Sequence, residues 1–160
     1  MKVTDLMARD VKCCPDYCSL NTAAHMMWEF DVGCVPIVNQ EERVVGMLTD
    51  RDICMSAYLQ GVPLKDALVT SAMSKEVFSC RPDDDIAIAE KLMREKQLHR
   101  LPVVNIEGNL VGLISQYDIA REAAKEAETK RPRQVADAEI TQLVASVRAP
   151  RHPVAEAKAA

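Results

Sequence analysis

Apolar residues recur at helical spacing in two stretches of this chain, and each stretch leads into a pair of short apolar runs. In the later stretch Ile86, Ala89, Leu92 and Met93 mark one face of a helix, with Glu90, Lys91, Arg94 and Glu95 on the outer face. Before it, Glu76-Val77-Phe78-Ser79-Cys80 reads as a short strand and Arg81-Pro82-Asp83-Asp84-Asp85 as a turn carrying an acidic helix cap. After it come Leu101 to Asn105 and Leu110 to Ser115, joined by Ile106-Glu107-Gly108-Asn109, a link of hairpin type. The earlier stretch matches this with Leu20, Ala23, Ala24 and Met27 on the helix face and Gln40-Glu41-Glu42-Arg43 between its two runs. A helix closes each half, Arg51 to about Leu59 and Tyr117 to about Glu128. The predicted order is therefore β-α-β-β-α, twice.

The repetition is ungapped. Pro36 and Pro102, Gly46 and Gly112, and Asp52 and Asp118 are each 66 residues apart. A unit of that size does not bury a full core alone, so the two must pack on each other, and the cleft between them is the natural place for a ligand. Repeat one is assigned to residues 1–60 and repeat two to 67–125. Residues 126–160 break the pattern, with Lys130-Arg131-Pro132-Arg133 and an Ala/Pro-rich end around Ala149-Pro150-Arg151-His152-Pro153. Within this tail Ile140, Leu143, Val144 and Val147 fit a short amphipathic helix, which either docks on the body or a second subunit or frays with the tail.

A formal net charge of −4 over 160 residues leaves no basic footprint for nucleic acid. No stretch approaches the roughly 20 apolar residues that span a bilayer, and the start Met1-Lys2-Val3-Thr4-Asp5-Leu6 lacks the apolar core of a signal peptide. The expectation is a cytoplasmic protein whose six cysteines stay reduced.

Each repeat ends its second apolar run with a Gly-containing strand and a hydroxyl-x-x-acid step: Gly46-Met47-Leu48-Thr49-Asp50-Arg51-Asp52 and Gly112-Leu113-Ile114-Ser115-Gln116-Tyr117-Asp118. With the order of elements, this resembles a tandem pair of CBS domains, the cystathionine β-synthase type regulatory module, over residues 1 to about 125. The segment His99-Arg100-Leu101-Pro102-Val103 is also similar to the nucleotide-contacting stretch of the γ subunit of AMP-activated protein kinase. The resemblance implies an α+β fold of two repeats packed about a pseudo-twofold axis. It implies two clefts taking an adenosine derivative (AMP, ADP, ATP, NAD or S-adenosylmethionine), and a homodimer paired through its helices.

Taken alone, Thr49-x-x-Asp52 and Ser115-x-x-Asp118 are capping boxes. A carboxylate in the first helical turn can also accept both hydroxyls of a ribose, and the free helix N–H groups favour a nearby phosphate. His99 and Arg100 supply phosphate donors, or else a basic dipeptide at a strand end; repeat one has Gly33 and Cys34 there. The site at Asp118 is thus expected to hold a phosphorylated ligand better than the site at Asp52. By family geometry the adenine lies against the opposite repeat, drawing the Asp118 site to Met7, Lys12 and Val32 and the Asp52 site to Met73, Phe78 and Leu98. The same apolar residues would pack in the core without a ligand.

Cys13, Cys14 and Cys18 fall within six residues, enough to raise a metal or redox site completed by His25, or else to serve as small packed residues. No G-x-S-x-G elbow, Walker loop or H-E-x-x-H is present, so no enzyme activity is expected. The reading is a regulatory adenine-nucleotide sensor that changes shape and passes the change to an effector protein. Its rivals are a nucleotide-independent dimerisation scaffold and a metal or thiol redox sensor.

Overall fold

A computed structural model describes residues 1–129 and 137–147; the segments at Lys130 to Arg133 and Ala149 to Pro153 lie outside the described residues. The chain is α+β. Repeat one carries helix α1 (Val3–Leu6), strand β1 (Cys14–Pro15), helix α2 (Leu20–Glu29), strands β2 (Cys34–Val38) and β3 (Val44–Thr49), and helix α3 (Asp50–Gln60). Repeat two opens with a single 3-10 turn (Val69–Ser71) and continues with α4 (Ile86–Lys96), β4 (Arg100–Val104), β5 (Leu110–Ser115) and α5 (Gln116–Thr129), followed by α6 (Asp137–Val147). Strands β1, β2 and β3 form one sheet, and the antiparallel pair β4–β5 forms the other. Residues 76–80, read as a strand, keep one parallel bridge, Cys80 to Val103, and no regular strand. In repeat one Cys14 pairs in full with Ile37 on β2.

The hairpin registers match residue for residue. Cys34 faces Thr49 and Val38 faces Val44 in one; Arg100 faces Ser115 and Val104 faces Leu110 in the other, each with a register shift before its last pair. Both hairpin turns place a residue in the left-handed region, Gly108 in repeat two and Glu42 in repeat one. Glycine takes that conformation without steric cost, whereas Glu42 does not.

The two repeats exchange their opening segments. Val3 N–H donates to Asp84 O at 2.9 Å, and its counterpart Val69 N–H donates to Cys18 O at 2.9 Å. Ala8 bridges Leu113, and Ser74 bridges Met47. Val3 and Met7 therefore lie in the core of repeat two with Ile86, Met93, Leu101 and Ile114. Ala67 and Val69 lie in the core of repeat one with Leu20, Val35 and Leu48. Glycine permits the crossing. A Cβ on Gly112 would stand 2.6 Å from Met7 Sδ and 3.0 Å from Ala8 O, and one on Gly46 would strike Met73 Sδ and stand 3.1 Å from Ser74 O.

Helix α6 packs over α4 and α5. Leu143 and Val147 are buried with Met93, Ile119 and Ala123, while Val144, expected on the same face, is 40% exposed. Its presence corrects the reading of Glu90 as an outer-face residue: Glu90 is 3% exposed, and its Oε1 has no hydrogen-bond partner among the described residues. Burial pushes the Glu90 carboxyl above its ordinary 4.5, Glu139 on α6 adds to the rise, and Arg94 offsets part of it.

Two predictions follow from this packing. Gly112→Ala should lower stability by about 1–3 kcal/mol, because the backbone of Ala8 cannot retreat without breaking its pairing. Gly33→Ala, whose Cβ would meet only Asp50 Oδ2 at 3.6 Å, should stay within about 1 kcal/mol of wild type; equal denaturant midpoints for the two variants would contradict the first. The second concerns Glu90. A raised carboxyl favours folding only where it is protonated, and that contribution is lost as pH rises through the folded value. Glu90→Gln should therefore raise the melting temperature at pH 7 and leave it nearly unchanged at pH 4, as read by scanning calorimetry.

Candidate functional site

The exchange leaves a cleft of about 610 Å³ where the repeats meet. One wall is the segment Ala8 to Lys12 with the loop Phe30 to Cys34, both from repeat one, and the other is the end of β5 and the start of α5. From opposite walls, Lys12 and Val32 face Arg100, Ser115 and Asp118. Of the residues assigned to this site from sequence, these five line the cleft.

Asp118 sits in the first turn of α5, held by a capping box. Its Oδ2 accepts from Ser115 N–H at 2.9 Å and from Ser115 Oγ at 2.6 Å, and Asp118 N–H donates to Ser115 Oγ at 3.3 Å. The other carboxylate oxygen, Oδ1, pairs with Arg121 one turn along. Arg100 Nη1 lies 3.1 Å from Cys34 Sγ. Those two residues hold the same position in the two repeats, so this contact spans the pseudo-twofold axis. Burial holds the Cys34 thiol above its ordinary value, an effect that Arg100 offsets in part. Lys12 Nζ binds Asp10 Oδ1 at 2.9 Å and stands 4.9 Å from the centre of the Phe30 ring.

Met7 and His99 do not line this cleft. Met7 is in the core, where its sulfur covers Gly112. His99 is half-buried behind Arg100, its Nδ1 at 2.9 Å from Gln116 Nε2 and its carbonyl accepting from Gln116 N–H. Among the cleft residues that the sequence reading passed over are Asp10, Phe30, Asp31, Tyr117 and Arg121. Arg121 carried a usable signal: three residues after Asp118 on a helix, it lies on the same face.

Thr49 and Asp52 form the same box. Asp52 Oδ2 accepts from Thr49 N–H at 2.9 Å and from Thr49 Oγ1 at 2.7 Å, and Asp52 N–H donates to Thr49 Oγ1 at 3.2 Å. The surroundings differ. The counterparts of Lys12, Arg100 and Arg121 are Phe78, Cys34 and Met55, none of them cationic. Phe78 and Leu98 pack against the core of repeat two, with Lys96 Nζ 4.4 Å from the Phe78 ring, and Met73 packs against the core of repeat one. Lys96 is the counterpart of Phe30, so the two repeats build one cation–ring pair with its members reversed.

Cys13, Cys14 and Cys18 come close enough to act on one another's thiols. Cys14 is fully buried in the core of repeat one, its thiol pushed up to about 12 by burial and by Cys18. His25 lies on the exposed face of α2, 3.5 Å from Glu29. Among the described residues no three His, Cys, Asp or Glu side chains gather as a metal site.

A family model for the CBS domain matches residues 3–57 and 66–125. The chain belongs to the CBS domain family. It is similar to Hypoxic response protein 1 of Mycobacterium tuberculosis, 32% identical over 123 residues that cover 77% of this chain and 85% of that protein. A crystal structure of Hypoxic Response Protein I with two coordinated zinc ions superposes with a TM-score of 0.69, covering 76% of this chain and 98% of that one. The CBS domain pair of MJ0100, in complex with 5-methylthioadenosine and S-adenosyl-L-methionine, shares the fold at 20% identity and a TM-score of 0.72, covering 79% of this chain and 98% of that one. CBSX2 in complex with AMP does so at 23% and 0.69, with the same coverage. The chain also matches a homoserine O-acetyltransferase of Methanohalobium evestigatum at 30% identity over 119 residues, 74% of this chain but only 23% of that protein. No described helix is long and apolar enough to cross a membrane.

The two capping boxes have the same geometry, so Asp118→Ala and Asp52→Ala should each cost roughly 1 kcal/mol of folding stability. Denaturant titration of the two variants checks this; a loss several times larger at Asp118 would show that its box holds the fold in a way that Asp52 does not.

Proposed function

We propose that this CBS pair is a cytoplasmic regulatory module, without catalytic activity of its own, that binds an adenosine phosphate in the cleft at Asp118. The carrying observation is that both repeats wall one cleft in which a helix-start carboxylate stands among Lys12, Arg100 and Arg121. In this reading the ribose hydroxyls donate to Asp118, displacing the exposed Arg121 side chain, which then turns to phosphate. Arg100, Lys12 and the Ser115 hydroxyl complete the phosphate shell, and Val32 and Phe30 take the base. Arginine can give two parallel N–H donors to phosphate, the geometry this pocket offers at two positions.

Because the walls come from different repeats, a ligand that bridges them favours the closed arrangement by its differential affinity for it. Another polypeptide reads that arrangement. AMP, ADP and ATP are the ligands to which Lys12, Arg100 and Arg121 can offer phosphate donors, Asp10 and Asp31 of the same lining confining the anion to that side; NAD and S-adenosylmethionine share the adenosine and are the comparison ligands. The site at Asp52, with Thr49, Phe78 and Leu98 and with Lys96 over the Phe78 ring, is read as the weaker one for a phosphorylated ligand.

A thermal-shift panel of these ligands tests the reading, since a ligand bound only by the native state raises the melting temperature. The shift should be largest for a phosphate-bearing ligand, lost in Asp118→Ala and kept in Asp52→Ala. No shift with any adenosine compound would leave a nucleotide-independent scaffold; stoichiometric zinc in the purified protein, with unfolding on chelation, would make it a metal-dependent switch. By calorimetry Arg100→Ala should weaken AMP or ATP about ten- to hundredfold while changing adenosine little, as expected for one charge-assisted contact of about 1.5–3 kcal/mol. Equal losses for adenosine and AMP would show that Arg100 supports the fold and does not read phosphate.

A further inference from the structure

Each repeat makes the same turn on the way to its first long helix, and the turn sets one pair of side chains face to face. In repeat two Asp84 N–H donates to Arg81 O at 3.2 Å, and in repeat one Cys18 N–H donates to Pro15 O at 3.1 Å. The residue before each turn is a buried cysteine, Cys80 or Cys14. The residue that closes the turn acts on that thiol: Asp84 on Cys80, and Cys18 on Cys14. In repeat one the two thiols hydrogen-bond to each other, with the proton favoured on Cys14.

What fastens the turn differs. Asp84 Oδ2 accepts from Arg81 N–H at 2.8 Å and so ties the end of the turn to its start. The counterpart of Arg81 is Pro15, which has no N–H to give, and the counterpart of Asp84 is Cys18. Repeat one therefore lacks both halves of the tie and has a second thiol in place of the acid. This position also carries the joint between the repeats. Cys18 O accepts from Val69 N–H, as Asp84 O accepts from Val3 N–H, both at 2.9 Å. Next along, Ser19 bridges Leu68 and caps α2 by accepting from Thr22 N–H.

We propose that Cys14 and Cys18 form a thiol–disulfide exchange site, oxidised to an intrachain disulfide by a low-molecular-weight disulfide, and that this disulfide takes the place of the missing tie. Cys18 is the entry point, since it is half-buried beside the exposed Tyr17 whereas Cys14 is fully buried. The Cys18 sulfur attacks one sulfur of R–S–S–R, its proton leaves with the departing thiol RSH, and a mixed disulfide stands at Cys18. The Cys14 sulfur then attacks the Cys18 sulfur, and a second RSH departs with the Cys14 proton. Two cysteine thiols give up two electrons, and one small disulfide is reduced to two thiols. Cys13 stays outside the pair, because neighbouring residues of an extended segment point to opposite sides. Its thiol is pushed up by burial and by Glu42 of the hairpin turn. Closing the pair fixes the Cys18 carbonyl on Val69 N–H, so oxidation tightens the joint whatever the cleft holds.

The probe is glutathione disulfide, given to the folded full chain, after which free thiols are capped with N-ethylmaleimide and the chain is cut on the N-terminal side of aspartate. Residues 10–15 and 16–30 then fall in separate fragments, and a link between them, read by mass spectrometry, reports the pair. Cys13→Ser removes the one other thiol of the first fragment. The link should form in wild type and in Cys13→Ser, and the oxidised protein should melt higher than the reduced one. Cys18→Ser, at a half-buried position that leaves the core intact, should abolish both the link and the rise. Cys14→Ala should leave the glutathione mixed disulfide stranded at Cys18. Absence of the link in the folded chain, its formation only in urea, or its loss in Cys13→Ser overturns the proposal. So does an oxidised protein that melts no higher than the reduced one, or a rise that persists in Cys18→Ser.

Discussion

The close approach of two strands to two crossing segments is the constraint from which the rest of the molecule follows. At Gly112 the backbone comes against Met7 and Ala8, and at Gly46 against Met73 and Ser74, with no room for a side chain at either point. These crossings put Val3 and Met7 into one core and Ala67 and Val69 into the other, so neither repeat is complete without the other's opening segment. They also make the cleft. Ala8 and Leu113, paired across the first crossing, are two of its lining residues, so the site and the core share a structural element.

Given two nearly identical frames, the differences between them reside in side chains. Both helix starts hold their aspartate in the same box, with hydrogen-bond lengths that agree within 0.1 Å. Around the two boxes the charges differ: Lys12, Arg100 and Arg121 answer to Phe78, Cys34 and Met55, while Phe30 answers to Lys96. In a half-buried cleft a cation is worth more to an anionic group than in bulk water, because the surroundings screen it less. The pairing of Arg100 with Cys34 shows the asymmetry at its sharpest, since there the two versions of one position touch.

Much of this architecture was legible because it rests on local periodicity. The helical faces, the hairpin pairs and the two boxes are each written within about thirty residues, and the 66-residue offset relates one set to the other. The exchange of opening segments was not legible, since an apolar Val3 or Met7 carries no mark of which core receives it. Glu90 illustrates the same limit in another form. Its position on α4 reads as solvent-facing until α6 covers it, and no local pattern reports a covering element some fifty residues away. At the cleft, the polar lining residues with a motif around them (Arg100, Ser115, Asp118) could be placed from sequence, whereas Phe30, Asp31 and Tyr117 enter through the shape of a loop and the sweep of a wall. His99 fell on the wrong side of a strand start: its neighbour Arg100 faces the cleft while its own ring turns to Gln116.

The exchange also bears on how such a chain is made. A ribosome delivers Met1 to Ala8 well before their partners Asp84 and Leu113. The core of repeat one draws on residues 14–73 and can close as soon as those have emerged, leaving the leading segment without a partner meanwhile. Residues made early are thus among the last to be placed, and contacts of that sequence separation are the slow ones to form. Deleting residues 1–8, an edit that looks harmless to the half it precedes, would strip packing from the other half.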